Sequence, residues 1–186
     1  MSVPEYNGRS GRWVVLKYGG TSVADPENWA GIADVLRSRQ SDGLRPVLVH
    51  SALAGVSDRL QQLAHLPDGT QRDRIVREVE ERHTALLAGL GLEPPPELTA
   101  RLEEVSRIAD GLALTGEVSA PLEARLLALG ELMASAIICA YLSGQGFEVL
   151  NADARQVLTS RRTYTAHDPR RFLSAVCDSE FDDRLC

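Results

Sequence analysis

Two short apolar runs, each closing on a loop of small residues and separated by one amphipathic helix, constrain this chain more than any other feature. Trp13-Val14-Val15-Leu16 is the first run and leads into Gly19-Gly20, the pattern of a buried strand entering a loop. The second, Arg45 to Ser51, reads RPVLVHS and leads into the small residues Ala52 to Val56. Between them, Asp25-Pro26-Glu27 supplies an N-cap, a proline at the first helical position and an acid in the first turn. Trp29, Ile32, Ala33 and Leu36 then keep one apolar helical face up to about Arg39. Strand, helix and strand in so short a length predict a parallel pair joined by a right-handed crossover, hence an α/β fold.

The middle of the chain reads as helical. Ser57-Asp58 is placed to cap a helix through about Leu66, and Gln71 to Leu90 is a longer, charged amphipathic helix. Gly89-Leu90-Gly91 ends it, and Pro94-Pro95-Pro96 marks a turn within the domain, because helical pattern resumes from Glu97 to Leu114. Ser119-Ala120-Pro121 opens a long, apolar helix reaching about Leu142, stopped by Ser143-Gly144-Gln145-Gly146. Phe147 to Leu150 is expected as a third strand, and a helix is expected from Asp168 to Cys177. No internal repeat or low-complexity tract is visible.

Composition narrows the class. A net charge of -6 argues against a general nucleic-acid binder, which needs a basic surface to displace counterions. An anionic substrate would have to meet a local cationic pocket instead. Aromatics make up 5%, so the core is expected to be aliphatic. No apolar run is read as approaching the roughly eighteen residues of a membrane span. Residues Met1 to Arg12 are polar, without the apolar core of a signal peptide. Cys139, Cys177 and Cys186 lack metal-site spacing and read as reduced thiols of a cytoplasmic protein. His50, His65, His83 and His167 show no ligand spacing either, and no metal site is expected.

Three places carry possible chemistry. A strand running into Gly19-Gly20 presents backbone N–H groups at the carboxyl edge of a sheet. Thr21 and Ser22 add hydroxyls, and Lys17 adds a mobile charge suited to phosphate. A plain tight turn satisfies the same pattern, and neither a Walker loop nor a dinucleotide fingerprint is present. The loop Ser51 to Asp58 leaves the second strand on the same edge, and its residues alone favour a simple strand–helix connection capped by Ser57. Glu131 stands in Leu126 to Ile138, apolar nearly all round, so a buried carboxylate needing a partner is expected there. Both a salt bridge to an arginine and a ligand amine meet that need.

Taken together, Lys17-Tyr18-Gly19-Gly20-Thr21-Ser22-Val23, Ser51-Ala52-Leu53-Ala54-Gly55-Val56-Ser57-Asp58 and Gly130-Glu131-Leu132-Met133-Ala134-Ser135 resemble, in order and separation, the aspartate kinase signature of the amino-acid kinase family. Asp153-Ala154-Arg155 also fits it, and the resemblance runs from Trp13 onward. It implies a three-layer α/β sandwich with a mainly parallel sheet, truncated at the C-terminal side. Residues 1–12 would be a flexible extension, and residues 13–186 the N-terminal, amino-acid-binding part of the kinase domain. The implied reaction moves the γ-phosphoryl of ATP to the β-carboxylate of L-aspartate with Mg²⁺, the first step toward lysine, threonine and methionine.

By the same resemblance Lys17 would be catalytic, with Lys17, Gly19, Gly20, Thr21 and Ser22 binding phosphate, and Ser51, Ser57 and Glu131 binding aspartate. Many relatives carry threonine where Ser57 stands. A homo-oligomer is implied, with no nucleic-acid or membrane partner. Relatives continue into a Gly-Arg-Gly-Gly-Ser-Asp loop, a nucleotide-binding half and regulatory modules, so the 186-residue chain alone is expected to have little or no activity. Two alternatives stand: a family member acting on glutamate, acetylglutamate or a nucleotide, and a non-catalytic assembly module.

Overall fold

A computed structural model describes residues 12–66, 69–157, 160–161 and 176–177. Strand β1 (Trp13–Tyr18) and strand β2 (Arg45–His50) pair in parallel, with Val15 opposite Val47 and Lys17 opposite Val49. The short helix α1 (Gly20–Ala24) and α2 (Asn28–Ser41) form the crossover between them. Then follow α3 (Val56–His65), α4 (Gly69–Leu90), α5 (Pro96–Thr115), α6 (Ala120–Gly144) and α7 (Ala154–Val157). Strands β3 (Ser160–Arg161) and β4 (Val176–Cys177) make a separate antiparallel pair.

The crossover is tied by short bonds rather than by the expected cap. Asp25 Oδ1 accepts from the Glu27 amide at 3.0 Å, but this shapes a turn, and α2 proper starts at Asn28. Pro26 instead packs so closely on α4 that a methyl group on Gly89 would lie 2.6 Å from its Cγ. Trp29 Nε1 donates to the Val23 carbonyl at 3.1 Å, fastening α1 to α2. Its ring meets Tyr141 edge to face at 5.6 Å between centroids, joining the crossover to α6.

Helix α6 is the centre of the core. Ser119 caps it as expected, its Oγ accepting from the Leu122 amide at 3.4 Å. Leu129, Met133 and Ile137 are fully buried, together with Leu60 and Leu63 of α3 and Val105 of α5. Burying each of these large side chains contributes roughly 1.5–3 kcal/mol. The core is aliphatic with Trp29 as its one fully buried aromatic among the described residues. Contrary to the sequence expectation, α6 is long and apolar enough to cross a membrane, at a mean hydropathy of 1.8 over its most apolar window. Its packing against α3, α4 and α5 gives it the place of a core helix instead.

Two other expectations change. Phe147 to Leu150 is not a strand, since among the described residues no neighbour takes up its backbone groups in a ladder. Phe147 is held by its ring, with the Arg37 guanidinium 5.2 Å from the centroid. The helix expected from Asp168 to Cys177 lies outside the described residues except for Val176 and Cys177, which are strand. The N-terminal extension also lies outside them, apart from Arg12.

Candidate functional site

Both loops of the parallel pair leave the carboxyl edge of the sheet, and the structure joins them there. The Ser51 amide donates to the Tyr18 carbonyl at 3.3 Å, and the Ala54 amide donates to the Gly20 carbonyl at 3.2 Å. A methyl group on Gly20 would lie 2.6 Å from the Ala52 carbonyl oxygen, so only glycine admits this approach. The Val23 amide closes the first turn of α1 on the Gly19 carbonyl at 3.2 Å. The amides of Gly20, Thr21 and Ser22 precede any intrahelical partner and remain donors at this edge. Lys17 is exposed at the end of β1, and its Nζ would stand 3.9 Å from a methyl group on Gly19. The cation therefore lies beside Gly19.

The second loop is locally unusual. Gly55 has φ +75°, a left-handed conformation that glycine adopts without strain, and it is the residue that starts α3. Ser57, expected as the cap, is instead an exposed residue inside the first turn and caps nothing. From α4, Arg82 Nη1 donates to the Ala54 carbonyl at 2.8 Å and holds the loop from outside. An open groove of about 340 Å³ between α3 and α4 begins at this arginine, but Arg59 and Glu78 in it are already paired at 2.7 Å.

Helix α6 completes the arrangement. A methyl group on Gly130 would lie 3.0 Å from Ala52 Cβ and 3.4 Å from Val56 Cγ1, so α6 touches the second loop here. Glu131 follows directly. It is exposed, not buried as expected, and among the described residues it has no ion pair. An apolar sequence all round the helix does not bury it all round: 56% of its most apolar window is covered, and Glu131 falls on the open side. Among the described residues the internal salt bridge is thus not found, and Glu131 is open one residue from the point where Gly130 meets the loop. One turn further, Ser135 Oγ lies 3.0 Å from His50 Nε2 at the end of β2.

Of the expected residues, Gly20 and Ser51 lie where the two loops join, with Lys17 beside Gly19 and with Thr21 and Ser22 on the following turn. Glu131 approaches through Gly130, and Ser57 stands one residue beyond Val56. His50, Ser135 and Arg82 were missed. His50 directly precedes Ser51, and Ser135 is four residues past Glu131, a spacing that shares a helix face. Among the described residues no group of three or more His, Cys, Asp or Glu side chains is placed to hold a metal ion.

Farther from these loops, Glu104 is nearly buried between Arg125 Nε at 2.7 Å and Arg101 Nη1 at 3.1 Å. Burial alone would raise its pKa, and the two arginine hydrogen bonds outweigh burial and hold it below the usual carboxylate value. Asp153 and Arg155 pair with each other at 2.7 Å, which lowers the Asp153 pKa.

The amino acid kinase family profile matches residues 12–178, so the chain belongs to that family. Among curated relatives, an aspartokinase of Chlamydia trachomatis is 30% identical over 165 residues, covering 89% of this chain and 34% of its own length. A chloroplastic aspartokinase of Arabidopsis thaliana is 27% identical over 148 residues, covering 77% and 26%. The chain therefore spans about a third of the length of the curated relatives it matches. Among solved structures, Escherichia coli aspartokinase III in complex with aspartate and ADP superposes with TM-score 0.69 at 26% identity, over 82% of this chain and 33% of that one. The same enzyme with lysine and aspartate gives TM-score 0.73 at 26% identity, over 90% and 35%.

Proposed function

We propose that this chain is the amino-acid-binding front part of an aspartate kinase, which transfers the γ-phosphoryl of ATP to the β-carboxylate of L-aspartate. The observation that carries it is the fusion of the two loops at Gly20 and Ala52–Ala54, with Glu131 open beside them. The solved relative holding aspartate and ADP together supports the choice of substrates.

In this reading a β-carboxylate oxygen of aspartate attacks the γ-phosphorus, the bond to the β-phosphate oxygen breaks, and ADP leaves. Lys17 offsets charge on the transferring group, and the amides of Gly19 and Gly20 with the hydroxyls of Thr21 and Ser22 cradle it. Ser51 and Ser57 hold the amino acid by hydrogen bonds, and Glu131 binds its α-ammonium. Catalysis is by placement and charge, without a covalent enzyme intermediate. The nucleotide's Mg²⁺ finds no carboxylate cluster among the described residues, and no step here runs through it.

An acyl-phosphate assay with hydroxylamine trapping tests this. The 186-residue chain alone is expected to show little turnover, and a version joined to the remaining two thirds of a matched relative should form aspartyl phosphate. Transfer to acetylglutamate in preference to aspartate would overturn the assignment.

A further inference from the structure

The His50 imidazole bridges two of the elements that carry the site, and the proposed chemistry leaves it unused. Its Nδ1 lies 3.1 Å from the Ser51 carbonyl oxygen. A carbonyl only accepts, so Nδ1 carries the proton. In the neutral ring Nε2 is then the lone-pair nitrogen and accepts the Ser135 hydroxyl at 3.0 Å. This is the less common form of a neutral imidazole in water, selected here by two polar partners on different elements. Ser51 opens the loop after β2, and Ser135 lies one helical turn past Glu131 on the same face of α6.

Two contacts thus set α6 against the loop in different ways. Gly130 on Ala52 and Val56 fixes how closely the helix approaches. The His50–Ser135 bond fixes its rotation, and a turn of one residue about the axis would carry the Glu131 carboxylate through about 100°. We infer that His50 is a positioning residue that holds α6 in the rotation at which Glu131 faces an amino acid's ammonium group. The inference rests on the aspartate-binding reading above and deepens it. His50 itself touches no reacting atom.

The test uses the full 186-residue chain in ¹⁵N-resolved NMR, with L-aspartate as the added probe. Ring ¹⁵N correlations should show His50 protonated at Nδ1, and the Nε2–H form would overturn the inference. Ser135→Ala and His50→Asn, which cannot bridge to α6, should each weaken aspartate binding about tenfold. His50→Gln places an acceptor where Nε2 stands and should stay within about threefold of the unsubstituted chain. Melting temperatures of all three should stay close to that chain's, which a merely structural role would not allow. Unchanged affinity in Ser135→Ala contradicts the positioning role. If the unsubstituted chain shows no aspartate-dependent shift, it is the substrate reading that has failed. The tautomer, and the shift of the Glu131 amide on Ser135→Ala, then decide the role of His50 on their own.

Discussion

A methyl group on Gly20 would sit 2.6 Å from the Ala52 carbonyl and 3.3 Å from the Ala54 amide nitrogen, both backbone atoms that cannot swing aside. Gly20→Ala should therefore push the two loops apart and cost about 1–3 kcal/mol, read as a lower urea midpoint. An unchanged midpoint would mean the loops are not joined as described. His83 offers a second test at this scale. It is fully buried in α4, its Nδ1 donates to the Val79 carbonyl at 2.7 Å, and its Nε2 has no hydrogen-bond partner. Burial lowers its pKa below 6.5, against a smaller opposing effect of the Val79 bond. The unfolded chain then binds the proton more readily than the folded one, so stability falls as pH drops below about 6.5. Urea unfolding at pH 7.5 and 5.5 should show this loss, and His83→Leu should reduce it. Equal losses in both proteins would remove His83 as the cause.

Among the elements, those with local signals were legible in the sequence. The run Trp13–Leu16 and the run into Ser51 became the parallel pair, and Ser119 with Pro121 marked the start of α6 to within a residue. Signals that depend on a distant partner were not legible. Phe147 to Leu150 has strand composition, but a strand exists only where a neighbour accepts its backbone bonds. The apolar sequence neighbours of Glu131 predict burial, whereas exposure depends on which face of α6 the other helices cover. Ser57 looked like a cap, yet the left-handed Gly55 starts α3 two residues earlier. The loops themselves were found because glycine and small residues cluster there. The His50–Ser135 bond, 85 residues apart in sequence, carries no local mark.

At the scale of the molecule, one face of the parallel pair is left exposed by the described residues. Trp13, Val15, Val47 and Val49 all lie on it, and Val15 is 64% exposed. Parallel sheets are normally covered on both faces, so this face is expected to promote association of the 186-residue chain. Light scattering should show mass rising with protein concentration, and the double change Val15→Thr with Val47→Thr should suppress it. A constant monomer mass at every concentration would show that the face is not adhesive. The covered face carries His50, which meets α6 there, whereas Lys17, opposite Val49, stands at the loop end of the exposed face, so the candidate site lies across the carboxyl edge of the pair. In the proposed reading Glu131 takes the free α-ammonium of aspartate. Isothermal titration with L-aspartate and with N-acetyl-L-aspartate, on the unsubstituted chain and on Glu131→Gln, tests it most directly. Aspartate alone is expected to bind, weakened at least about tenfold by Glu131→Gln with no loss of fold, because that side chain is exposed and unpaired among the described residues. Equal binding of the acetylated compound, or aspartate affinity unchanged in Glu131→Gln, would contradict it.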